Sequence, residues 1–140
     1  MSDRFFLDTN VFVYSFDHSA RKKAGRAKEL IREALTTQKG VTSYQAAQEF
    51  FNVALKRFAR PMRTAEAEQY LATVFRPLVA VHSSIAIYGE AIRLQGQSGL
   101  SWFDSLIVSA AQQAGCDVLY SEDMQHGQRF GSVRVVNPFL

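Results

Sequence analysis

The feature that most constrains this chain is a series of short, unbroken apolar runs, each set off from the next by a longer segment of helical spacing. Residues 4–7 (Arg-Phe-Phe-Leu), 40–42, 78–81, 117–120 and 133–136 read as strands. Between them, residues 9–16 read as a helical turn or two, and residues 20–35 as a basic helix closed by residues 36–40. Ser43 is placed to cap a helix running to about Ala59, where Arg60 and Pro61 stop it. A further helix starts at Thr64 and ends at Pro77. Ser83 or Ser84 opens another through Leu94, and Ser101 caps one from Trp102 to Ala114, with Gly115 as the terminating glycine. Strands exposed on one face alternate apolar and polar residues. Continuous apolar runs belong to strands covered on both faces, which is the pattern of a parallel sheet between helical layers. The expectation is one α/β domain spanning residues 1–140, with no repeat, low-complexity stretch or linker.

Composition narrows the setting. A chain of 140 residues is long enough to bury a core without staples, and 47% of it is apolar. No apolar run approaches the roughly 18–20 residues of a membrane span. Asp8 interrupts Phe5-Phe6-Leu7 before a leader's apolar stretch could form, so the protein is expected to be cytoplasmic and not membrane-bound. Cys116 is the only cysteine, which excludes an internal disulfide and multi-cysteine metal sites. Charge is unevenly spread. Residues 21–63 carry eleven Lys or Arg against three acids, whereas residues 64–140 carry four against seven. A basic segment of this kind is either a surface for a polyanion or an ordinary solvated helix face.

Four acids stand out by position. Asp8 and Asp123 follow strands, on the edge of a parallel sheet where ligands bind, although each also suits a turn or helix cap. Glu49 shares the helix face of Ala46, Phe50 and Val53, which is otherwise apolar. Asp104 shares its face with Ile107, Val108 and Ala111. A carboxylate turned inward costs several kcal/mol unless it is paired or hydrogen-bonded. For Glu49 the structural alternative is a buried ion pair with an arginine. For Asp104 it is a capping box with Ser101, aspartate standing in for the usual glutamate. Four converging acids call for a neutralising cation, and Mg²⁺ or Mn²⁺ suits oxygen ligands. Bound beside a basic surface, such an ion serves phosphodiester hydrolysis.

Other chemistries lack support. There is no dinucleotide or nucleoside-triphosphate glycine loop. Gly96-Gln97-Ser98-Gly99 is not a nucleophile elbow, since no strand precedes it. His18, His82 and His126 have no zinc spacing. His126 reads as a loop residue, Cys116 as a small buried one, and the aromatic residues mainly as core, without an obvious stacking platform.

Four segments together resemble the PIN domain family: residues 6–11 (Phe-Leu-Asp-Thr-Asn-Val), 48–53 (Gln-Glu-Phe-Phe-Asn-Val), 102–111 (Trp-Phe-Asp-Ser-Leu-Ile-Val-Ser-Ala-Ala) and 119–123 (Leu-Tyr-Ser-Glu-Asp). They run in the family's order across essentially the whole chain, and residues 135–139 are also similar. The resemblance implies a three-layer α/β/α fold with a central, mainly parallel sheet and Mg²⁺- or Mn²⁺-dependent endoribonuclease activity. By position, Asp8, Glu49, Asp104 and Asp123 match the family's acidic residues. Asp8 and Asp104 would be the most direct metal ligands, and Asn10 and Ser121 match supporting polar positions. Serine stands at 121 where the family often has threonine, and either Glu122 or Asp123 is the inward acid. Small bacterial members are mostly VapC-like toxins, usually dimeric and held inactive by an antitoxin. The expected partners are therefore RNA, a cognate antitoxin and a second copy. A nuclease of RNA maturation or decay, and a non-catalytic RNA- or protein-binding module, are the alternatives.

Overall fold

The computed structural model describes residues 3–140. Its sheet has six strands in the order β3-β2-β1-β4-β6-β5. These are β1 (Phe5–Leu7), β2 (Gly40–Ser43), β3 (Val79–Val81), β4 (Val118–Tyr120), β5 (Arg129–Phe130) and β6 (Val133–Val136). All pairings are parallel except that of β5 with β6. The helices are α1 (Thr9–Tyr14), α2 (Arg21–Thr37), α3 (Tyr44–Ala54), α4 (Thr64–Tyr70), α5 (Arg76–Leu78), α6 (Ile85–Ser98) and α7 (Trp102–Gln113).

The apolar run of β1 is divided between two cores. Phe6 joins Leu119, Val133 and Val135 in a cluster with α6 and α7. Phe5 and Leu7 join the opposite cluster with α1, α2 and α3. That division is what the unbroken apolar strands implied: a sheet buried on both faces between helical layers. Gly40 shows how closely α2 lies against β2. A Cβ there would fall 2.3 Å from the Ala34 Cβ and 2.6 Å from the Phe5 ring, so the position holds nothing larger than glycine without movement.

Four segments depart from the sequence expectation, the first being α6, which runs past Leu94 and through Gly96 to Ser98 before Gly99, in the left-handed conformation, closes it. α3 stops at Ala54 rather than near Ala59. The N–H groups of Lys56, Arg57 and Phe58 all turn back to the Val53 carbonyl, and the Phe58 ring packs against Phe16 and Phe50. Pro77 does not end its helix. Residues Leu71–Phe75 form a π-helical turn in which the Arg76 N–H reaches the Leu71 carbonyl. This shift leaves Pro77 in the first turn of α5, where its missing N–H is tolerated. β5 has only two residues, too few to show a pattern. Cys116 is buried, and burial pushes its thiol up to about 11. No helix among the described residues is long and apolar enough to cross a membrane.

Candidate active site

Asp8 is the first residue past β1, and its N–H still donates to the Tyr120 carbonyl of β4, so the sheet itself holds it. It also caps α1, since Oδ1 accepts the Thr9 N–H at 2.6 Å. Ser121, just past β4, donates its hydroxyl to Asp8 Oδ2 at 2.7 Å. Asp8 is only 4% exposed. Burial raises its carboxyl to about 7, reinforced by the charges of Asp123 and Glu49 and opposed by the bonds from Ser121 and Thr9. The cap reading of Asp8 is therefore realised through Oδ1, while Oδ2 is turned to Ser121.

Asp123 lies two residues beyond Ser121, whose Oγ accepts the Asp123 N–H at 3.3 Å. Its Oδ2 accepts from Asn10 Nδ2 at 3.2 Å. Glu122 turns elsewhere, to Lys23 and Tyr14. Of the two neighbouring acids, it is Asp123 whose charge acts on both Asp8 and Asp104.

Glu49, mid-way along α3, accepts from Thr9 Oγ1 at 3.1 Å and from Gln45 Nε2 at 2.7 Å. Among the described residues it forms no ion pair with an arginine, so the structural alternative for it does not occur. Asp104 sits in the first turn of α7, half-buried, and burial raises its carboxyl, helped by Asp123 and Glu49. Ser101 caps the helix by accepting the Asp104 N–H at 3.1 Å. The reciprocal bond of a capping box, from the Ser101 N–H to the Asp104 carboxylate, is absent among the described residues. Asp104 thus serves the cap through its backbone N–H, and a side-chain hydrogen bond with Ser101 opposes the rise of its carboxyl, without the reciprocal half of a capping box.

The four acids thus share one electrostatic neighbourhood, built from the ends of β1 and β4 and from α3 and α7. Among the described residues, no three His, Cys, Asp or Glu side chains close around a common point. The donor set still suits a hard cation: all are carboxylate oxygens, one is buried with its proton held unusually tightly, and the buried Asn10 Oδ1 has no hydrogen-bond partner. Two groups in this network, Thr9 and Gln45, were not singled out in the sequence. The Gln45–Glu49 spacing of i, i+4 was their one available signal. Gln45 also donates to the Phe103 carbonyl at 3.3 Å, tying α3 to the start of α7. His126 lies apart from this network, exposed, with Nδ1 accepting the Asn137 N–H.

The sequence matches the family model of the PIN domain over residues 5–129, which takes in all four acids. The chain belongs to the PIN domain family. No curated protein is recognised as a relative by sequence. Solved structures resemble this PIN domain along nearly its whole length. One is a toxin–antitoxin complex from Klebsiella pneumoniae, at 21% identity and a TM-score of 0.66, covering 95% of this chain and 96% of that one. The sarcin–ricin loop cleaving toxin VapC20 of Mycobacterium tuberculosis matches at 20% identity and 0.61, covering 93% and 98%. DNA-bound VapBC from Salmonella typhimurium matches at 20% and 0.60, covering 94% and 96%. At these identities the likeness is one of fold: the PIN domain's parallel sheet between two helical layers.

Proposed function

We propose that this PIN domain is a divalent-metal-dependent endoribonuclease and the toxin of a toxin–antitoxin pair, acting through Asp8, Glu49, Asp104 and Asp123. The observation that carries the reading is the raised, buried carboxyl of Asp8 within reach of two further acidic charges. A folded protein keeps such a group at a cost unless something binds there. Asp8 and Asp104 would hold Mg²⁺ or Mn²⁺, with Asp123 and Glu49 completing the cluster directly or through water. The ion, when bound, supplies an activated water and neutralises charge on the scissile phosphate. The chain's own groups do the rest. Ser121 and Asn10 orient Asp8 and Asp123, while Thr9 and Gln45 fix both oxygens of Glu49. Exposed Arg21 and Lys22 open α2 close to this edge and suit the RNA backbone. Purified protein should cut a panel of structured RNAs with Mg²⁺ or Mn²⁺ and stop when chelator is added. Cleavage undiminished by chelator would remove the metal from the mechanism.

Two surfaces support the partners. Along α6, Ile85, Tyr88 and Ile92 form an outward stripe at i, i+3, i+7 that Trp102 and Phe103 extend; Ile85 is 84% exposed and Ile92 63%. The stripe itself holds no charged residue, which suits a second copy better than RNA. A separate apolar groove of about 450 Å³ between Phe16, Ile31, Leu35 and Tyr70 is rimmed by Lys28 and Arg32. Apolar floor and cationic rim suit an acidic amphipathic segment of an antitoxin. Ile92→Glu should give monomers by sedimentation, and paired Lys28→Glu and Arg32→Glu should weaken neutralisation by the antitoxin. A dimer surviving the first, or full neutralisation surviving the second, would misplace that surface.

A further inference from the structure

Glu122, the acid beside Asp123, turns out of the acid cluster and is gripped from two helices at once. Lys23 Nζ of α2 and the Tyr14 hydroxyl of α1 each lie 2.6 Å from one of its two carboxylate oxygens. Lys23 Nζ is also 3.4 Å from the Tyr14 hydroxyl and stands 4.7 Å over the Tyr14 ring and 5.8 Å over that of Phe139. Tyr14 and Phe139 meet edge to face at 5.0 Å. The pair is partly exposed, its side chains 38% and 24% accessible, and an ion pair of that kind adds little to global stability. Its position is what matters. Asn10, one turn before Tyr14 on the same face of α1, holds the neighbouring Asp123. The loop after β4 is thus fastened at three consecutive residues: Ser121 to Asp8, Glu122 to α1 and α2, and Asp123 to Asn10.

We propose that Lys23, Tyr14 and Glu122 form a latch that positions Asp123 within the acid cluster, so that the basic helix α2 helps set how tightly the site holds a divalent cation. The inference rests on the reading of that cluster as an ion site. The three are positioning residues and touch no reacting atom. Groups that orient metal ligands from behind are commonly worth 10–100-fold in affinity.

Charge alone makes the opposite prediction for one variant, which separates the two effects. Lys23→Met removes a cation near the site, so simple electrostatics would tighten the binding of another cation. A lost latch instead frees Asp123 and loosens it. The measurement is binding of Mn²⁺ alone to the purified full chain without RNA, read as free ion by electron paramagnetic resonance. Lys23→Met is expected to bind Mn²⁺ about 10-fold more weakly. Tyr14→Phe, which changes no charge, should shift affinity the same way, and Lys23→Arg should recover most of it. The double variant Lys23→Met, Glu122→Gln should be no weaker than the worse single one, since the latch is already open. Arg93→Met, which breaks the exposed Arg93–Glu90 pair on α6, should bind as wild type. Lys23→Met and Tyr14→Phe binding Mn²⁺ as tightly as wild type, while Asp123→Asn binds weakly, would overturn the latch alone. Wild-type binding untouched by Asp123→Asn would overturn the ion-site reading, and the latch with it.

Discussion

Expressed alone in a bacterial host, the wild-type chain is expected to arrest growth, and Asp104→Asn to leave growth untouched. Replacing a carboxylate ligand by an amide should cut RNA cleavage by at least about 100-fold, beyond what orienting groups alone contribute. The fold should survive, because the α7 cap runs through the Asp104 backbone N–H and the Ser101 hydroxyl, neither of which the substitution alters. If Asp104 served only the helix start, the variant would lose about 0.5–2 kcal/mol of stability and keep its activity. Equal arrest by both proteins would exclude catalysis as the cause and favour a binding module. Arrest by neither, with cleavage of purified RNA intact, would point to a nuclease of RNA maturation or decay.

Asp8→Asn should produce the largest change in stability, and its sign depends on pH. The unfolded chain releases the Asp8 proton near 3.8, whereas the folded protein holds it up to about 7. The contribution from this group is therefore complete below the unfolded value and lost as pH rises toward 7 and beyond. That loss is on the order of 4 kcal/mol at pH 8 relative to pH 4. In metal-free protein, chemical denaturation should show wild type weakening across this window and Asp8→Asn staying nearly level. Mn²⁺ at 100 times its Kd should restore about 2.7 kcal/mol to wild type at pH 8, and much less to the variant. Parallel pH profiles for the two proteins would show that Asp8 is not the group under strain.

The sequence carried most of the fold because its signals were local. Phe5-Phe6-Leu7 can be read as a doubly buried strand without knowing its neighbours, and Ser43 and Ser101 mark helix starts by their own chemistry. The errors arose where distant packing decided the outcome. Phe58 is drawn into the Phe16–Phe50 cluster and turns the chain out of α3, which no residue between 54 and 59 announces. The π-helical turn before Pro77 likewise resolves a conflict between a proline and a helix that the core needs to continue. At the candidate site, Glu49 and Asp104 were visible as carboxylates on apolar helix faces, and Asp8 and Asp123 as acids following strands. Thr9 and Gln45 were not, since a hydroxyl or amide on a helix is ordinary until its partner is known. Glu122 and Asp123 could not be told apart in the sequence because the groups that bind Glu122, Lys23 and Tyr14, lie 99 and 108 positions away.

The place of β1 in the sheet has a consequence for when the acidic residues can be brought together. It precedes the other five strands in the sequence, yet it lies between β2 and β4, and its β4 edge has no partner until Val118 emerges. Asp8 and Ser121, bonded in the finished site, are separated by 113 positions, as are Asn10 and Asp123. At about 5–20 residues per second, the ribosome needs on the order of 5–20 seconds to bridge that gap. Throughout this interval the nascent chain holds Asp8 without Ser121 or Asp123. Every truncated product ending before Val118 lacks the same two groups, Ser121 and Asp123. Synthesis order thus acts as a built-in delay: Asp8 gains Ser121, and Asn10 gains Asp123, only after 113 further residues have been added.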